Sequence, residues 1–241
     1  MLRSLRELFG YRIGAEDGDL GKVHNLLFDD QLWRIRYMVA ETGNWLNSRR
    51  VLISTGSLGI PKWDQWTLPV SLTLEQIRNS PDIDTDLPVS RQQELAMNAH
   101  YGWPAYWAAE PMAQAGDAEL PVGDPHLRSV REVIDYRVRS LDGELGHVAD
   151  FIGDDDGWFI RYLAIETRDW LPGKKVLVAP DWIASVSWSA QSVAVNLPQE
   201  VMAKSPEYGP SIWVNRVYET ELYRHYGRRP YWERQGSSSP E

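Results

Sequence analysis

Residues 35–53 read IRYMVAETGNWLNSRRVLI, and residues 160–178, 125 positions later, read IRYLAIETRDWLPGKKVLV. Each stretch is an apolar run, a Trp-Leu pair among turn-forming residues, and a second apolar run. That is the order of two β-strands joined by a turn. In the first strand Ile35, Tyr37 and Val39 share one face, yet Met38 and Ala40 on the other face are also apolar. Leu163 and Ile165 repeat this in the second copy. A strand apolar on both faces has to be covered on both sides. The interior of a small barrel can cover one; a helix or the sister repeat must cover the other.

Outward from these strands the correspondence continues without a gap, residues 2–107 lying over 127–232 with roughly a third of positions identical. LRSLREL answers LRSVREV, Asp17-Gly18 answers Asp142-Gly143, Ser80-Pro81 answers Ser205-Pro206, and His100-Tyr101-Gly102 answers His225-Tyr226-Gly227. Two copies at this period read as a domain duplication, since solenoid units are shorter and need about three copies or more. The sequence thus divides into a first repeat at 1–107, a linker at 108–126, a second repeat at 127–234 and a tail at 235–241. The linker is rich in Ala, Pro and Gly without Lys or Arg, and the tail reads QGSSSPE, a composition suited to disorder.

Within the first repeat, short strands are expected at residues 11–13, 20–28, 35–41, 49–53 and 66–70. Asp17-Gly18 is a tight-turn signal, because Gly accepts positive φ, and Gly21 and Gly146 mark bulges or close approaches. Thr73 with Gln76 forms a capping box that opens a short helix ending before Pro81. Ser90 with Gln93 forms a second box, opening a helix that stops at Gly102. The fold class is mainly β with α extensions: two small barrels, each followed by two short helices, related by duplication.

The order D-G-x-L-G-x-V, then I-R-Y-x-x-x-E-T-x-x-W-L, then two basic residues before V-L, resembles the PRC-barrel family. That family includes the cytoplasmic domain of the photosynthetic reaction centre H subunit and the C-terminal domain of a ribosome maturation factor. The resemblance covers 2–70 and 127–195, and the helical extensions resemble those of free-standing bacterial tandem PRC-barrel proteins. It implies a small barrel that docks on proteins, without catalytic residues or cofactor. The partner it implies is a protein or complex, of electron-transport or photosynthetic kind; the alternative is a ribosome or RNA-maturation adaptor, and behind that a small-ligand or metal-binding enzyme.

The residues themselves give few chemical leads. Glu41 and Glu166 are matched strand-end carboxylates; they make either an acid–base pair or ion pairs with neighbours such as Arg36 or Arg49. His100 and His225 align, at a helix end where interaction with C-terminal carbonyls suits them. His24 and His147 do not align, and a metal site has no ligand spacing to rest on. Asp29-Asp30 and Asp154-Asp155-Asp156 lack the order of a calcium loop and suit tight turns. The Trp-Leu turns carry the strongest interaction signal, with the basic pairs that follow: Trp45, Leu46, Arg49 and Arg50 in the first copy, Trp170, Leu171, Lys174 and Lys175 in the second. A Trp-Leu pair is costly to leave in water, so it either folds back on the barrel or anchors a partner protein.

Bulk composition narrows the classes. A net charge of −9 and a pI near 5.1 oppose broad binding to nucleic-acid phosphates. With no Cys there is no disulfide, thiolate nucleophile or Cys-bound zinc. No segment approaches the roughly 18 apolar residues of a membrane span, and residues 1–14 do not read as a signal peptide. The expectation is a cytoplasmic scaffold protein whose two repeats pack on each other, with a homodimer compatible.

Overall fold

The computed structural model describes residues 2–43, 46, 49–81, 91–105, 127–167, 173–209 and 212–234. In chain order the first half holds β1 (Leu2–Ser4), β2 (Arg12–Ala15), β3 (Gly18–Asp29), β4 (Arg34–Thr42), β5 (Arg50–Ser54) and β6 (Thr67–Pro69), then helices α1 (Leu74–Arg78) and α2 (Arg91–Tyr101). The second half holds β7 (Leu127–Ser129), α3 (Val130–Val133), β8 (Arg137–Arg139), β9 (Glu144–Asp154), β10 (Ile160–Thr167) and β11 (Lys175–Val178). It continues with β12 (Ile183–Ser187), β13 (Ser192–Val195), α4 (Gln199–Ala203), α5 (Arg216–Tyr226) and α6 (Tyr231–Arg234). The protein is mainly β, with curled half-barrel sheets and few helices.

One sheet runs β5-β4-β3-β2-β6, with β7 on β3; the other runs β11-β10-β9-β8-β13-β12, with β1 on β9. Neighbours are antiparallel except β2 with β6 and β8 with β13, which are parallel. The small barrels expected from sequence are present as half-barrels, whose end strands are not paired to each other among the described residues. The described residues fall into two compact units, one within Met1–Leu5, Glu132–Asp155 and Ile160–Glu241, the other within Arg6–Arg131 and Asp156–Phe159.

Membership of these units follows from the length of β3 and β9. On one edge β3 is paired to β4 along most of its length; on the other, β2 reaches only Gly18 to Lys22. The far half of that edge, Leu27 to Asp29, is taken by β7. In the other unit β8 covers Glu144 to His147, and β1 pairs with Ile152 to Asp154. Backbone N–H and C=O groups removed from water must be paired, and each exchanged strand pairs those its neighbour leaves.

The double-sided strand is buried as its composition requires. Residues 35 to 40 of β4 are all buried, and β10 is buried over the matching positions except at Arg161, which is partly exposed. Tyr37 and Val39 pack outward against Met97 of α2 and Leu127 of β7, with Leu27 and Leu52, while Tyr101 and Trp103 close the cluster. The outer cover is therefore both a helix and a strand from the second repeat. Side chains of this size stabilise by about 1.5–3 kcal/mol each when fully buried.

Left-handed backbone recurs at matched positions. Positive φ occurs at Gly10 and Asp135, Gly21 and Gly146, Trp33 and Trp158, Trp66 and Gln191, and Gly102 and Gly227. At Gly21 and Gly146 an added Cβ would collide with the carbonyl oxygens of Glu41 and Glu166. Positive φ at a large side chain costs free energy, and at Trp33 the ring stacks on Phe28, centroids 5.3 Å apart.

Two local expectations are corrected. Gly18 and Gly143 are not at positive φ; a Cβ on either would come to 2.9 Å from the tip of a flexible side chain, Leu74 Cδ1 or Gln199 Nε2. The Asp before each caps a helix as well as turning the chain, accepting from Leu74 N at 2.8 Å (Asp17) and from Gln199 N at 2.9 Å (Asp142). Thr73 and Gln76 form the expected capping box, while Ser90 lies outside the described residues. Gly227 closes α5 as a left-handed cap.

Candidate functional site

Of the residues singled out in the Trp-Leu turns, Trp45, Trp170 and Leu171 lie outside the described residues. Leu46 is half-buried. Its N–H donates to Gly43 O and its carbonyl accepts from Arg49 N at 3.0 Å. Buried Thr42 and Thr167 staple the two arms below the turn: their hydroxyls donate to Arg49 O at 2.7 Å and Lys174 O at 3.1 Å.

The basic pairs divide by position. Arg49 Nη2 donates to Ser80 O and Oγ, both at 2.8 Å, and to Pro81 O at 2.9 Å. Lys174 Nζ donates to Ala203 O at 2.7 Å and Ser205 O at 2.8 Å. The first member of each pair thus fastens the Ser-Pro turn after a short helix to the sheet. The second member faces the strand carboxylate. Arg50 is opposite Glu41 in the ladder, and Lys175 Nζ is 3.4 Å from Glu166 Oε2. The other cation named beside Glu41 is used elsewhere: Arg36 pairs with Asp29 at 3.2 Å, both buried.

The remaining leads also have internal partners. His100 Nε2 is 2.9 Å from Gln76 O and His225 Nε2 is 2.7 Å from Val201 O. Each His therefore joins its helix to a carbonyl of the preceding short helix, not to its own end as expected. Asp30 pairs with Arg128 at 2.9 Å and Asp154 with Arg161 at 2.8 Å. His147 Nε2 stands 4.0 Å from Asp135 Oδ1. Among the described residues no group of three or more His, Asp or Glu is arranged to hold a metal.

A cleft of about 470 Å³ opens at the turn end of β3 and β4, lined by Arg12, Asp19, Leu20, Gly21, Lys22, Glu41, Thr42 and Gly43. Its floor is the close approach of Gly21 to the Glu41 carbonyl. The exposed side chains around it are two cations and two carboxylates, a balance unlike a phosphate cradle. One wall continues into the hairpin of residues 58–67: Arg12 N donates to Trp66 O at 3.0 Å. The Trp66 ring lies 5.3 Å from that of Tyr11 and is 65% exposed, and Ile60 on the same hairpin is 72% exposed. In the other unit Trp213 and Val217, either side of the α5 N-cap Asn215, are exposed, with the Arg3 guanidinium 4.9 Å from the Trp213 ring centre.

Sequence reasoning passed over these four apolar residues. A signal existed: the aligned positions of Ile60 and Trp66 are Ser185 and Gln191, and those of Trp213 and Val217 are Pro88 and Gln92. Each exposed apolar residue is thus peculiar to one copy. Also missed were the buried matched carboxylates Glu94 and Glu219, each 3% exposed. Glu219 accepts from Tyr162 Oη at 2.8 Å and Tyr231 Oη at 3.1 Å, and pairs with Arg216 at 3.2 Å. Burial raises the Tyr162 hydroxyl far above the usual tyrosine range, so this group fastens α5 to the sheet in neutral form.

No helix among the described residues is long and apolar enough to cross a membrane. Compared with known proteins, the chain matches no family model and no curated protein.

Proposed function

We propose that the chain is a non-catalytic docking protein, built from two copies of a PRC-type barrel related by duplication, whose repeats pack on each other and whose partner is a protein. The observation that carries this reading is the exposure of Ile60, Trp66, Trp213 and Val217 while the polar residues of the repeated motif are spent on internal bonds. Large apolar side chains held in water on ordered backbone favour association. The resemblance of 2–70 and 127–195 to the PRC-barrel family supports the same role, by analogy of fold, and ties the partner to an electron-transport or photosynthetic complex.

The test replaces Trp66, and separately Trp213, by a photo-crosslinking amino acid in the full chain, and identifies what is captured in cells by mass spectrometry. A single protein species captured from either position is the expected result. Capture of ribosomal RNA or small-subunit proteins would move the assignment to a maturation adaptor. Absence of any adduct from both positions would end the docking reading.

A further inference from the structure

Residues 2–4 and 127–129 have the same sequence, Leu-Arg-Ser, and each triplet is a strand on the sheet formed by the other sequence repeat. Their side-chain contacts answer one another crosswise. Ser4 Oγ donates to Asp150 Oδ2 at 2.5 Å. Ser129 Oγ accepts from Asn25 Nδ2 at 2.8 Å. Asp150 is the aligned counterpart of Asn25, as Ser129 is of Ser4. Main-chain N–H groups also reach across beside both triplets, though not at counterpart positions: Leu5 N donates to Phe151 O at 2.8 Å, and Arg131 N, just past the second triplet, donates to the side-chain Oδ1 of Asn25 at 3.2 Å. One further pairing has an unusual property. Arg34 forms a β-bridge with Phe159, which is its own counterpart in the repeat.

A position that meets its own counterpart, together with contacts in which i meets j and j meets i, is the mark of an isologous association, in which both partners offer the same patch. We infer that the Leu-Arg-Ser strand with the far half of the long strand is a repeat-to-repeat docking element, and that the partner it fits is a second copy of the same repeat. In this chain the linker at 108–126 supplies that copy; the docking contacts themselves do not need it. The element carries its own selectivity. Asn25 is 9% exposed and spends its amide on Ser129 Oγ, Leu26 N and Arg131 N, and Arg128 with Asp30 adds a charged pair that is mostly screened from water. Leu5 and Leu127, at 3% and 5% exposure, bury the apolar side of each exchanged segment. The inference rests on the packing of the repeats on each other proposed above, and not on the exposed apolar residues or on an external partner.

The experiment inserts a specific protease site between Ala115 and Gly116 of the full chain, cleaves the folded protein, and follows the two fragments by size-exclusion chromatography with light scattering at micromolar concentration. The expected result is one particle near the 27.7 kDa of the uncut chain, containing both fragments. Fragments that separate without denaturant, folded or not, would overturn the inference. A second arm asks whether the exchanged strand is what holds them. Arg128→Asp should raise the dissociation constant of the cut protein about tenfold, the scale of one charge-assisted contact, and adding Asp30→Arg should recover most of that loss. An Arg128→Asp variant whose fragments hold as tightly as the parent's would also overturn it.

Discussion

The hairpins at residues 58–67 and 183–192 occupy matched positions but differ in strand pairing and in surface. Both end on a left-handed residue, Trp66 at φ 53° and Gln191 at φ 49°, and both set a Trp against a buried Tyr, Trp63 on Tyr11 and Trp188 on Tyr136. In the second hairpin Ser185, Val186 and Ser187 continue a regular ladder with β13. In the first, Pro61 stands where Val186 does and removes an N–H, leaving only the isolated bridges Leu58 to Val70 and Lys62 to Thr67. The loosened hairpin is also the one that exposes Ile60 and Trp66. Positions at which the copies agree therefore mark the architecture, and positions at which they part are where a partner can distinguish one half from the other.

The hardest break of this agreement is at the shared glycines. Gly21→Ala and Gly146→Ala each force a Cβ onto a carbonyl in left-handed backbone, and each should cost at least about 3 kcal/mol in urea unfolding. An effect confined to one copy would break the equivalence. Next come the fasteners of the Ser-Pro turns. Arg49→Ala and Lys174→Ala remove bonds from a charged donor to carbonyls, with an expected loss of about 2 kcal/mol each by the same measurement; Arg49→Lys, which copies the second repeat, should lose less.

Smaller effects are set by pH. Burial pushes Tyr226 up to about 12. The folded value is above the unfolded one, so the stability tied to its neutral form is complete below about pH 10 and is lost as pH rises towards 12. Tyr226→Phe should flatten the fall in melting temperature across that window and change little at pH 7. Asp142 works at the other limb: the Gln199 N–H and the Ser140 hydroxyl hold its carboxyl below the usual carboxylate range. Its contribution is present above the unfolded value and is lost as pH falls from there through the lower folded value, so Asp142→Asn should make stability less sensitive to acid below pH 4. The smallest effect on folding is expected from Trp66→Gln, which copies the second hairpin at an exposed site: within about 0.5 kcal/mol of the parent in thermal melts.

What the sequence disclosed follows from how local each signal is. The strands at 20–28 and 35–41, the Thr73–Gln76 capping box and the glycine cap at Gly227 rest on residues within a few positions of one another, and all are present. The close approach at Gly21 was legible because only Gly tolerates it. The exchanged strands were not: three residues are too few to show a period, and their partners lie more than a hundred positions away. Arg49 and Lys174 looked like a surface pair because their acceptors are main-chain carbonyls, which leave no trace in residue type. Trp33 and Trp158 hold left-handed backbone beside turns rich in Asp and Gly, where propensity points to the wrong residue. The exposed Ile60 and Trp66 show up only when one copy is subtracted from the other.

The exchanged strands also fix an order of events during synthesis. When residues 2–4 leave the ribosome, their ladder partner, residues 152–154, has yet to be translated. At about 5–20 residues per second, the amino-terminal strand waits on the order of ten seconds or more, and the first sheet keeps the Leu27–Asp29 edge unpaired until residues 127–129 arrive. The first half of the protein therefore emerges with an open strand edge that its own downstream sequence must reach before a neighbouring nascent chain does.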